Sequence, residues 1–323
     1  MSYRSTIHCL LARSDQSYRV RIASSMRRAT IVLTGCFFLL LIFQASGERP
    51  KISEDRELKE YDLTGWDCLN HPEGTGRTPD AIERNRMKNR PAAELAGAQL
   101  MQLDTTTFLK HFAEFDAQTK GKHRSDLSPT QRAELDRLEK EVVSVTGYLV
   151  LAYAGPPETT NCANTDLHDW HLELFAQPAD HPPRAGDPTP IICEISPRTE
   201  NAIYHSGIRL QALATFLRAP DLSYESTGHP ARKIRVTGTL MWDDEHNGKA
   251  DVGSTVEAAS PNQFHHPWRA TAWEIHPIAK IEALEPDTPP TKVARHSGRG
   301  GFICSTTSAR QIALRSIFYF QSR

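Results

Sequence analysis

The densest chemistry in the chain lies in His168-Asp169-Trp170-His171-Leu172-Glu173-Leu174, where two imidazoles and two carboxylates fall within seven positions. Polar and apolar residues alternate, the period of a half-buried strand. Trp170, Leu172 and Leu174 share one face, and Asp169, His171 and Glu173 the other. His168 and His171 point to opposite faces of such a strand, so they cannot share an ion unless His168 lies in the preceding loop. Asp169 and His171 stand roughly 7 Å apart on one face at strand rise, so any site they build needs partners from neighbouring strands. "PIICEI" offers Glu194, facing away from Cys193 and Ile195, and "WEIHP" offers Glu274 and His276. If these faces meet, Asp169, His171, Glu194, Glu274 and His276 form a carboxylate–imidazole patch. That patch can hold a divalent ion through oxygen and nitrogen or work as an acid–base pair near neutrality. If they do not meet, the same residues are a hydrated or salt-linked exterior.

A second set lies in a long connection. Asp243-Asp244-Glu245-His246 opens a segment of roughly 25 residues that His265-His266 closes. Its acids are not at the alternating positions of a calcium loop, and adjacent histidines point apart in an extended chain. Asp243, His246, His265 and His266 are therefore read as loop candidates on a solvated connection beside the ligand face. Arg84, Arg86, Lys88 and Arg90, interleaved with Glu83 and asparagines, read as a solvated helix face rather than a polyanion contact. No G-x-S-x-G, phosphate loop or G-x-G-x-x-G occurs.

Five alternating segments must position these residues: "VVSVTGYLVLAY", "DWHLEL", "PIICEI", "KIRVTGTLMW" and "RATAWEIHPIAKIEAL", the last bent at Pro277. Between the third and fourth, residues 199–219 read as a helix. That order predicts a mainly β fold with some α: a five-stranded OB-like Greek-key barrel over residues 142–285. Val-Thr-Gly recurs in the first and fourth strands, where a glycine marks a bend or a close backbone approach. Residues 48–141 form a helical and irregular segment ahead of the barrel. Thr78-Pro79 starts one helix, Phe108, Phe112 and Phe115 mark a second, and Ser128-Pro129-Thr130-Gln131 is a capping box for a third.

Residues 1–47 are an N-terminal extension in which Arg27-Arg28 precedes an apolar run and Ala45, Ser46 and Gly47 follow it. This reads as a signal peptide cut near Gly47, with an uncleaved membrane anchor through residues 29–45 as the alternative. The chain starts at Met1 or at Met26. Either way the rest is expected in the periplasm or outside the cell, or held at the cytoplasmic membrane. Residues 142–285 carry ten Lys/Arg against eighteen Asp/Glu, which disfavours a nucleic-acid backbone as partner. Residues 286–323 read as a flexible basic tail. Cys68, Cys162, Cys193 and Cys304 remain after cleavage, and an exported chain oxidises such thiols in pairings that spacing alone does not choose. Cys193, within an apolar run, reads as a buried thiol.

"VTGYLVLAY", D-x-H-L, E-I and W-E-I-H-P, in this order, resemble a group of uncharacterised bacterial exported proteins with an OB-like domain. The resemblance covers residues 142–285 and implies that fold and an envelope location, without an activity. The expectation is an exported, non-catalytic binding or accessory module for a saccharide, peptide or protein. It needs no cofactor unless the patch takes a divalent metal. The alternative is a metal-assisted hydrolase built on that patch.

Overall fold

The structure, a computed structural model, describes residues 56–91, 100–219, 221–260 and 263–284. The expected signal or anchor, the basic tail and Cys304 lie outside them. Three helices come first: α1 (Pro79–Lys88), α2 (Thr105–Thr119) and α3 (Pro129–Leu138). Each has the start that its sequence encodes. Thr78 accepts the Ala81 N–H with Pro79 at the first position, and Ser128 and Gln131 close a reciprocal capping box. Asp104 and Thr107 do the same for α2.

Strand β1 (Leu100–Asp104) leads directly into α2 and is an addition to the expected strands, pairing parallel with β2. The barrel strands are β2 (Val142–Ala154), β3 (Trp170–Phe175), β4 (Ile191–Ile195), β7 (Lys233–Trp242) and β10 (Trp273–Ala283). Their ring order is β2-β3-β4-β10-β7-β2, which closes the expected five-stranded OB-like barrel. β2 is long enough to close it by changing partner: Val142–Tyr148 pair with β7 and Tyr148–Ala154 with β3. The β4–β10 contact is parallel, with Ile275 beside Cys193. Both Val-Thr-Gly glycines sit where the backbone is crowded. A Cβ on Gly147 would lie 2.8 Å from Thr105 Cγ2, and one on Gly238 would lie 2.5 Å from Pro277 O.

The expected helix over 199–219 is shorter. α4 (Pro197–His205) ends ahead of Gly207, whose φ of 83° is easy only for glycine. The remainder forms a 3₁₀ turn and β5 (Phe216–Arg218), which pairs with β2 and with β6 (Tyr224–Ser226) outside the ring. A two-stranded hairpin, β8 (Ala258–Ser260) and β9 (Gln263–His266), lies within the β7–β10 connection.

The helical segment shares the barrel's core. Phe112 stacks against Trp273 at 4.9 Å, and Phe115 meets Trp242 at 5.5 Å. Trp170, Leu172, Leu174, Cys193, Ile195 and Ile275 fill the interior of the same cluster. Apolar residues of β3 and β4 therefore face in, and their polar neighbours face out. Among the described residues no helix is long and apolar enough to cross a membrane.

Candidate functional site

The polar faces meet. Register sets His171 directly opposite Glu194, and the Ile275–Cys193 pairing brings Glu274 and His276 alongside that face. His171 Nε2–H donates to Glu194 Oε1 at 2.8 Å, and His276 Nδ1–H donates to Glu194 Oε2 at 2.8 Å. His276 Nδ1 also lies 3.3 Å from Glu274 Oε1, and its Nε2 lies 3.8 Å from Asp169 Oδ2. All five expected residues are thus one group.

The hydrated exterior expected otherwise is corrected, because all five are buried. They face out of the barrel but not into water, since two other segments cover them. α1 lays Arg84 and Lys88, one helical turn apart, onto the barrel, and both are buried rather than solvated. Lys88 Nζ stands 3.1 Å from Glu158 Oε2 and 3.5 Å from Glu194 Oε2. The β2–β3 connection brings Glu158 and Asn161, whose Nδ2–H donates to Asp169 Oδ1 at 3.0 Å. A Cys68–Cys162 disulfide ties this connection to the turn ahead of α1. Cys193 is a buried thiol, as its apolar setting implied.

The β7–β10 connection is likewise docked rather than solvated. Asp243 is buried between Arg84 and Arg269, with Arg269 Nη1 at 3.5 Å. Arg269 Nη2 also donates to Glu274 at 2.9 Å. His246 packs edge-on against Trp268 at 5.0 Å, and the Trp268 indole N–H donates to Asp251 at 2.7 Å. His265 and His266 point apart as expected. His265 turns inward to within 3.6 Å of Glu173, while exposed His266 lines the site.

Burial and pairing pull the titrations in opposite directions. Burial works against the charge on Glu194, yet Lys88, His171 and His276 hold it well below the carboxylate range. Burial alone would lower His276, but the Glu194 charge and the hydrogen bonds His276 donates to Glu194 and Glu274 push it up to about 10. For His171 burial wins over Glu194, bringing it to about 4 and keeping the ring neutral. Burial pushes Asp169 up to about 7 against the pull of His276.

Above His171 and Glu194 a pocket of about 290 Å³ opens, near the lower end of the roughly 300–1,000 Å³ typical of small-ligand sites. Lys88, Glu158, Asp243, His246, Tyr153 and Trp268 also line it. Asp169, Glu274 and His276 lie behind this wall, and His265 lies apart from it. His168 sits in the loop before β3 and lines a different cavity, so His168 and His171 do not converge. Lys88, read as solvated, is buried in the site, and Glu158, Asn161, Asp251 and Trp268 were missed. Only the Arg84/Lys88 spacing on one helix face signalled a shared surface. No family model, curated protein or solved structure matches the chain.

Proposed function

We propose that the protein is an exported, non-catalytic binding module whose barrel pocket takes a neutral, hydroxylated ligand of the saccharide type. The pocket itself carries this reading. Its charges are matched internally: Lys88 faces Glu158 and Glu194, and Arg84 and Arg269 face Asp243. A further anion would meet the lining carboxylates Glu158, Glu194, Asp243 and Asp251, whereas hydroxyls find acceptors in them and in the imidazoles. Trp268 and Tyr153 line the same pocket, each with a guanidinium, Arg269 and Arg218, against its ring. The acidic surroundings weigh against a phosphate backbone. The disulfide and the resemblance to exported proteins support an oxidising location.

Saturation-transfer NMR of the full chain with glucose, galactose, N-acetylglucosamine and their disaccharides tests this reading. Signal transfer that Trp268→Ala abolishes is the expected result. No transfer from any of them, in a protein that melts cooperatively, rejects the ligand class.

A second reading, metal-assisted hydrolysis, draws on the convergence of the five residues. Glu158, His171 and Glu194 form a triad of candidate ligands at the pocket floor. Lys88 already bridges two of the three, so an ion there must displace a buried ammonium.

A further inference from the structure

Behind the pocket wall lies a different arrangement. Asp169 and His276 are fully buried, and Asp169 Oδ2 and His276 Nε2 each lack a hydrogen-bond partner among the described residues. They face each other across 3.8 Å, too far for a hydrogen bond. Asn161, whose amide N–H already donates to the other Asp169 oxygen, leaves its own buried Oδ1 without a partner. Buried polar atoms are nearly always satisfied, and a group of orphans points to a missing water or ion.

The other side of the His276 ring is fully committed. Its Nδ1–H points at Glu194 Oε2 at 2.8 Å and Glu274 Oε1 at 3.3 Å, and Arg269 holds Glu274 in turn. A carboxylate accepting one ring N–H, so that the other nitrogen faces a cation, is the usual support of a metal-binding histidine. Two ligands on a tetrahedral ion with bonds of 2.0–2.2 Å stand roughly 3.4 Å apart. The observed gap closes to that value with a shift of a few tenths of an ångström.

We propose that Asp169 Oδ2, His276 Nε2 and Asn161 Oδ1 bind one divalent transition-metal ion beneath the pocket floor, with Glu194 and Glu274 orienting His276. The imidazole favours zinc over magnesium or calcium. As the ion enters, the Nε2 proton of His276 leaves to solvent, so affinity rises with pH. The site divides the five-residue patch into two ligands, two orienting carboxylates and a histidine, His171, that belongs to the pocket. It does not depend on what fills the pocket.

The test is zinc binding to the chelator-stripped full chain, by calorimetry and by metal analysis after gel filtration. One zinc per chain is expected, with affinity falling at least about tenfold in Glu274→Gln and binding lost in Asp169→Asn. His171→Ala should bind as wild type does. Cobalt substitution of the wild-type protein should give a visible spectrum showing histidine ligation, a readout that needs no variant. No retained metal and no cobalt spectrum would mean an ordered water only and overturn the proposal. Loss of zinc in His171→Ala with retention in Asp169→Asn would overturn it as well, placing the ion among Glu158, His171 and Glu194. Saccharide transfer, measured on the same stripped protein, reports on the pocket independently.

Discussion

Asp169, just ahead of β3, and His171 and Glu173 within it take successive outward positions, yet they meet opposite environments. The first two lie under α1 and the β2–β3 connection, among Lys88, Glu194, His276 and Asn161. Glu173 lies beside a second apolar cluster, which includes Val150, Leu151, Phe175 and Phe216. Neither Glu173 oxygen has a hydrogen-bond partner among the described residues, and His265 approaches only to 3.6 Å. Burial pushes Glu173 up to about 8, with Arg218 pulling the other way, while nearby Glu194 is driven far down by its cations. A buried carboxylate's state is decided by what the fold lays over it. Its own strand has little say.

The sharpest way to break the contrast is to remove the cation from the paired side. Lys88→Met leaves Glu158 and Glu194 facing each other in a buried setting. Unfolding in urea at neutral pH should show a loss of about 3–5 kcal/mol, the cost of stranding a buried charge. A loss below about 1 kcal/mol would mean that the network is not held by this ammonium.

The opposite change is expected at Glu173. Its folded-state pKa is raised, so between the unfolded value of 4.5 and about 8 the folded chain keeps a proton that the unfolded chain has lost. Stability therefore falls as pH rises through that window and levels off above it. Glu173→Gln keeps the shape without the ionisation. It should match wild type near pH 4 and exceed it at pH 8 by on the order of 4 kcal/mol. Wild-type and variant stabilities that run parallel across the window would show that Glu173 ionises as readily in the folded chain as in the unfolded one. At the small end, exposed Arg137 of α3 bridges Glu134 on the same helix and Glu141 just beyond it. Arg137→Ala should cost less than about 1 kcal/mol, and less still in high salt.

Much of this fold is legible in the chain because its signals are local. Alternation in "DWHLEL" and "KIRVTGTLMW" reports one apolar face per strand. The caps at Thr78 and Ser128 satisfy backbone groups within a few residues of themselves. β1 and β5 were not legible, because their parallel pairing with β2 is decided by contacts far from them along the chain.

The site divides the same way. Alternation and strand order named Asp169, His171, Glu194, Glu274 and His276, since side-chain direction on a strand follows from backbone geometry. Whether that face meets water could not be read from it. Lys88 lies 106 residues from Glu194 along the chain, and Glu57 lies 153 from Leu210, whose N–H it accepts. Contacts of this range depend on which surfaces the closed barrel offers, and no local pattern encodes them. The sequence alone determined which residues face outward together. Only the tertiary structure, by laying α1 and two loops over them, decided that they are buried, paired and shaped into a site.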